Sequence, residues 1–171
     1  LEQIEGALKL SKELGLRSVE ANAVSQIGGL YTRLGRLRDA EAHMRDALRL
    51  AQSSGDARGE FWAHLDLASL LIDSGLPGEG QPHLDRAGAL AEDLDDSQLT
   101  VATLHAESKS ARMMGDEDAA LDLRGQVENT YSALGLRSTC LECKRVRILW
   151  AHLRGDDEQA RNALRELLPE A

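Results

Sequence analysis

Residues 21–54 read ANAVSQIGGLYTRLGRLRDAEAHMRDALRLAQSS, and the fold is decided there. Ala40, Met44, Ala47 and Leu48 recur at helical spacing, and Gly35 and Gly55 close the segments on either side of them. Residues three and four apart share one face of a helix, so this is an amphipathic helix with a buried stripe. A helix commonly ends on a residue in the left-handed conformation, where glycine escapes the steric penalty that other residues meet. Two helices joined by a two-residue connection must run antiparallel. The stretch therefore reads as one helical hairpin.

The same punctuation recurs along the whole chain. Gly35, Gly75, Gly115 and Gly155 are spaced by 40 residues, and Gly15, Gly55, Asp95 and Gly135 form a second series with the same period. Leu14-Gly15-Leu16-Arg17-Ser18 returns unchanged as Leu134-Gly135-Leu136-Arg137-Ser138. Asp95 replaces glycine in its series, and Asp tolerates the left-handed region better than most residues. Helix starts follow the stops. Asp56, Asp116, Asp156, Ser18, Ser97 and Ser138 are candidate N-caps, and Asp156 with Gln159 has the spacing of a capping box. The pattern predicts helices over 1–14, 17–34, 37–53, 57–74, 77–93, 97–114, 117–134, 137–154 and 157–168. The fold class is all-α: a right-handed solenoid of antiparallel hairpins forming one domain. It has a partial repeat at 1–15 and repeats near 16–55, 56–95, 96–135 and 136–171.

Composition bounds the function. The chain has 171 residues, 42% of them hydrophobic but only 3% aromatic, and a net charge of −9. Neutralising a phosphate backbone needs an excess of Lys and Arg, so nucleic acid is not the expected partner. The charge is uneven: residues 1–96 carry 10 basic and 17 acidic groups, and residues 97–171 carry 10 and 12. Two cysteines do not build a disulfide scaffold, and no apolar run is long enough to span a membrane. The chain reads as soluble and cytoplasmic. It starts at Leu1, inside a repeat, and reads as a fragment of a longer protein.

In detail the hairpins resemble the tetratricopeptide repeat. Residues 21–54 carry Ile27-Gly28, Tyr31, Gly35, Ala40 and Ala47 at that family's positions, and residues 61–94 carry Leu67-Ala68, Leu71, Gly75 and Ala87. The period of 40 is similar to the longer-helix variety found in bacterial signalling ATPases and transcriptional activators. The departures lie further on. Gly80 stands where the family has Ala, and Pro82 falls in the first turns of its helix, which predicts a helix near 77–93 that starts late or is distorted. Glu107, Ser108, Arg124, Lys144 and Arg147 occupy positions that are usually apolar or small, which predicts a modified packing register or a cover over those repeats.

The resemblance implies a concave surface lined by the first helix of each hairpin. Mapping the repeat places there Asn22, Ser25, Gln26, Gly29 and Arg33, then Trp62, Asp66, Ser69 and Asp73. His105, Lys109 and Arg112 follow, then Arg145, Leu149 and His152. Trp62 is the one large anchor, of a type enriched in binding hot spots. Lys109, Arg112 and Arg145 on neighbouring helices predict a basic patch that suits an acidic segment or a terminal carboxylate. Gly28 is explained by a close partner helix, whereas Gly29 faces the groove, where it lets a guest approach the backbone.

Catalytic signatures are missing. Cys140-x-x-Cys143 has no second ligand pair for zinc, and no strand precedes it as in redox motifs. Of His43, His64, His83, His105 and His152, none forms an HExxH pair. The expected role is a protein- or peptide-binding scaffold, without enzymatic activity, cofactor or metal. The alternative is a ligand-sensing regulatory domain of a larger signalling protein or transcriptional activator. Apolar stack ends also allow homodimers.

Overall fold

The computed structural model describes residues 2–153 and 155–167, with side chains described except at residues 2, 137–143, 150, 159, 166 and 167. These residues form nine helices and no strand: α1 Glu2–Leu14, α2 Arg17–Arg33, α3 Leu37–Ser54, α4 Ala57–Asp73, α5 Pro77–Asp93, α6 Ser97–Met113, α7 Glu117–Ala133, α8 Arg137–Leu153 and α9 Asp157–Leu167. Each packs on the next in sequence order, so the architecture is an α-solenoid of antiparallel hairpins.

The breaks explain the regularity. Glycines 15, 35, 55, 75, 115, 135 and 155 all have positive φ, and Asp95 takes the same role at φ 48°. After each break an amide folds back onto a carbonyl five residues earlier: Leu16 to Ser11, Arg36 to Tyr31, Asp56 to Ala51, Leu76 to Leu71, Asp96 to Ala91, Asp116 to Ala111, Leu136 to Tyr131 and Asp156 to Ala151. This six-to-one bond is the signature of the Schellman motif. Its acceptors fall 20 residues apart without exception, so the backbone repeats at half the period of the side chains. Helices α2 and α4–α8 are accordingly 17 residues each, a rise of about 25 Å at 1.5 Å per residue.

Starts are less uniform than stops. Asp56 accepts from the Gly59 amide, Asp96 from Gln98 and Leu99, and Asp116 from Ala119. The cap of α6 is thus Asp96, not Ser97, which is the first helical residue. Ser18 lies inside α2, whose N-terminus at Leu16 has no side-chain cap. The Ser138 side chain and the partner Gln159 of the expected capping box lie outside the described side chains.

The helix expected to start late or to be distorted starts on time. α5 begins on schedule with Pro77 at its first position, where the missing N–H is no loss. Pro82 lies inside the helix. The carbonyl it leaves without a helical donor belongs to Gly78, which is exposed and open to water. Gly80 is buried because α4 is close: a Cβ there would sit 3.1 Å from the Ala68 carbonyl oxygen and 3.3 Å from Ile72 Cγ1.

The core changes character along the stack. Phe61, Leu65, Ala68, Ile72, Leu84, Ala87, Leu90, Ala91 and Leu99 form its largest apolar cluster, across α4, α5 and α6. Each buried Leu or Phe there contributes roughly 1.5–3 kcal/mol. Further on, polar residues enter the interior, and among the described residues the buried Ser110 hydroxyl has no hydrogen-bond partner. Buried Ser108 donates to the Ala120 carbonyl at 2.9 Å, tying α6 to α7. Glu128, 7% exposed, lies 3.5 Å from Lys144 Nζ and 3.2 Å from Arg147 Nε of α8. Of the charges expected to disturb the last repeats, Lys144 and Arg147 thus have Glu128 opposite them, whereas burial and Asp85 push the half-buried Glu107 carboxyl upward. The Glu128 contacts with Lys144 and Arg147 cross the α7–α8 interface.

One further polar contact is buried in the middle. His64 of α4 and His83 of α5 approach through their Nδ1 atoms at 2.9 Å, so one ring donates and the other accepts. Burial lowers both pKa values; for His64 the second cause is His83 itself. Glu60 lies 3.7 Å from His64 Nε2 and is held by Arg86 at 3.2 Å, while Arg45 and Glu41 of α3 act on His83 with opposite signs.

The packing makes testable predictions for two glycines and for the histidine pair. Gly75→Ala, at φ 80°, should destabilise the chain by about 1–2 kcal/mol. Gly125→Ala in α7, where a Cβ meets open space, should stabilise it by about 0.5–1 kcal/mol. Urea unfolding midpoints distinguish the two, and equal shifts would contradict the left-handed role of Gly75. For the histidines, the folded state resists protonation more than the unfolded state does. Their stabilising contribution is complete above the ordinary imidazole value of about 6.5 and falls as pH drops below it. His64→Leu, which installs the residue type found 40 positions on at Leu104, should flatten this dependence between neutral and mildly acid pH. An unaltered slope in that variant would remove the pair as its source.

Candidate inner-wall binding trough

The two sides of the stack differ. α2 touches α4 and α4 touches α6, whereas among the described residues no Cα of α3 comes within 8 Å of α5, nor of α5 within 8 Å of α7. Thus α2, α4 and α6 crowd together while α3, α5 and α7 splay, and among the described residues no Cα of α6 comes within 8 Å of α8. That makes α2, α4 and α6 the inner wall of the curve, the wall on which the candidate residues were expected.

A trough of about 560 Å³ opens on this wall between α2 and α4. Ser18, Asn22, Ser25 and Gln26 line it from α2, Arg58, Gly59, Trp62 and Asp66 from α4, and Asp56 from the turn between hairpins. A second groove of about 480 Å³ shares Ser18, Asn22 and Gln26 and continues toward Ile4 and Ala7 of α1. Helical spacing accounts for the convergence: Asn22 and Gln26 are one turn apart, as are Arg58, Trp62 and Asp66.

Within the trough, Gln26 donates its amide N–H to Asn22 Oδ1, so the two carboxamides form one polar ridge. Trp62 is 45% exposed, with its ring edge-on to the buried Phe61 at 5.0 Å. Asp66 is half-buried and accepts from the Ser25 hydroxyl of the facing helix. Burial pushes the Asp66 carboxyl upward from its ordinary pKa, and the Ser25 bond opposes the shift without cancelling it. Arg58 points its charge elsewhere, 2.9 Å from the Asp96 carboxylate. Asp56 is engaged in capping α4.

The remaining expected residues are more scattered. Arg33 is exposed at the end of α2 and Ser69 is half-buried on α4. Asp73 forms an ion pair with Lys109 across α4 and α6, so the Lys109 charge is met within the wall. Arg112 and Arg145 are exposed, as is Leu149. His105 lies 6.3 Å, ring to ring, from Tyr131 of α7, and burial lowers its pKa, with Arg124 adding to the shift. His152 Nδ1 is 3.2 Å from Asp157 of α9. The 40-residue register of Trp62, Asp66, Ser69 and Asp73 falls on Ala102, Ala106, Lys109 and Met113 in α6. Only Lys109 of the three expected α6 residues shares it. The side chains of Cys140 and Cys143 lie outside the described residues. Among those described, no three His, Cys, Asp or Glu side chains converge to hold a metal ion, and no helix is long and apolar enough to cross a membrane.

Ser18, Ala21, Asp56, Arg58, Gly59 and Ala63 also line the trough and were not expected there. Strict application of the 40-residue register from Trp62, with its neighbours one turn back, points to Arg58 and Gly59. Asp56 enters only because the hairpin turn folds against the wall.

The two inner-wall glycines part company. A Cβ on Gly28 would sit 3.0 Å from Met44 Cγ and 3.2 Å from the Ala40 carbonyl oxygen, whereas one on Gly29 meets nothing within 4 Å. Close packing against α3 thus accounts for Gly28 and leaves Gly29 unexplained by the fold.

No protein-family model matches this sequence, and no curated protein matches it significantly.

Gly29→Ala should raise the stability of the unliganded chain by about 0.5–1 kcal/mol. Asp66→Asn should also raise it at neutral pH. A carboxyl with a raised folded pKa weakens the native state as pH rises through that value, and the amide still accepts from Ser25. Differential scanning calorimetry reads both, and a lower melting temperature for D66N would mean that the carboxylate is stabilising instead.

Proposed function

We propose that this chain is a protein- or peptide-binding scaffold of the tetratricopeptide kind, which holds an extended segment of its partner in the trough on its inner wall. The observation that carries the reading is the convergence of exposed Trp62 with Asn22, Gln26 and Asp66 on a wall where the surrounding positions are packed. Carboxamides in a row offer donors and acceptors to an extended main chain, and a half-exposed Trp offers a large apolar face at low conformational cost. Gly29 fits the same reading, since a bare backbone facing open space lets a guest come close.

The trough is open and runs on into the groove beside α1. An open channel suits a chain-like guest better than a small molecule, which favours a scaffold over a small-ligand sensor. The net charge of −9 weighs against nucleic acid.

Affinity capture followed by mass spectrometry tests the proposal, with the wild-type chain beside Asn22→Ala combined with Trp62→Ala. Partners captured by the wild type should be lost by the variant. Measured binding should weaken by at least about thirtyfold, the loss typical of truncating a hot-spot aromatic. Capture undiminished in a variant of native helicity would place binding elsewhere on the molecule.

A further inference from the structure

The trough has a feature that general peptide binding does not require. Asp66 is a half-buried carboxylate, and among the described residues its partner is the Ser25 hydroxyl alone, with no cation beside it. Buried carboxylates are ordinarily paired, because desolvating an uncompensated charge is costly. The one basic residue lining the trough, Arg58, is taken by Asp96 at 2.9 Å. Asp56 adds a second negative charge to the lining. The site is therefore electronegative, even though Lys109 and Arg112 lie further along the same wall. Ser25 uses one of roughly four lone-pair positions on the carboxylate, leaving the others for a guest. Trp62 stands one turn away on the same helix, with much of its ring exposed.

We infer that the trough between α2 and α4 takes a cationic side chain, arginine or lysine, of an extended peptide, with the charge seated on Asp66 and the side chain lying against Trp62. The inference rests on the proposed role of the trough as a binding surface and adds the sign of its guest. A guanidinium or ammonium supplies the missing counter-charge. An indole face attracts the same cation through its quadrupole, and arginine more often than lysine. An acidic side chain in this position would meet Asp56 and Asp66 and is excluded by like charge.

Three randomised peptide mixtures of equal length test this, with arginine, citrulline or glutamate fixed at the central position. Citrulline keeps the shape of arginine and removes the charge. Backbone and indole NMR signals of the full chain report the contact. The arginine mixture should shift the Trp62 indole signal and the Ser25 and Asp66 amides, with affinity about tenfold above that of the citrulline mixture. Asp66→Asn should abolish that preference, and Trp62→Leu should weaken arginine binding while leaving citrulline binding closer to wild type. Equal binding of arginine and citrulline, or a preference that survives in D66N, overturns the inference. If the glutamate mixture alone moves inner-wall signals, the cationic assignment falls and the binding surface stands. If no mixture moves any inner-wall signal, both fall.

Discussion

The structure depends on one backbone constraint: each of the first eight helices is stopped by a residue of positive φ, after which an amide returns to a carbonyl five residues back. Because that bond recurs at Ser11, Tyr31, Ala51, Leu71, Ala91, Ala111, Tyr131 and Ala151, the helices have nearly equal length and their ends line up. Equal lengths let each hairpin present the same face to the next, which a solenoid needs in order to bury its apolar stripes between neighbours. Asp95 shows that the constraint is conformational and not a matter of glycine as such. It adopts φ 48°, and its helix closes in the same way.

Within that frame the interior tolerates more chemistry than an apolar repeat would. The middle of the stack is built on Phe61, Ile72, Leu84 and Leu99, but the α7–α8 interface is held by Glu128 against Lys144 and Arg147. The backbone register already places these side chains opposite one another, so a buried carboxylate finds its cations without any shift of the helices. An ionic interface specifies its partner more than it stabilises it, because desolvation offsets much of the Coulomb attraction. The junction of the last repeats therefore differs in kind from the apolar junctions before it.

The inner-wall trough presents the opposite case. Glu128 is compensated, whereas Asp66 is left with a single hydroxyl. Two nearby basic residues are committed elsewhere, Arg58 to Asp96 and Lys109 to Asp73. A site that keeps a half-desolvated carboxylate and an exposed indole gives up stability in two places at once. Such concentrations of locally unfavourable choices are characteristic of binding surfaces.

What the sequence determined by itself was the punctuation. The glycine series and Asp95 are local signals, since a left-handed residue is required by its own backbone and not by distant contacts. For that reason all nine helices were legible to within a residue or two, as were Ala40, Met44 and Ala47 as buried positions. Tertiary structure decided the matters that depend on what stands opposite. It let α5 start at Pro77 because the carbonyl freed by Pro82 faces water. It gave Ser108 a carbonyl acceptor and Glu128 two cations across helix interfaces that no local pattern reveals. It also paired Lys109 with Asp73 and set His105 beside Tyr131. Composition shows how many charges a chain carries, but only the fold shows which of them already have partners.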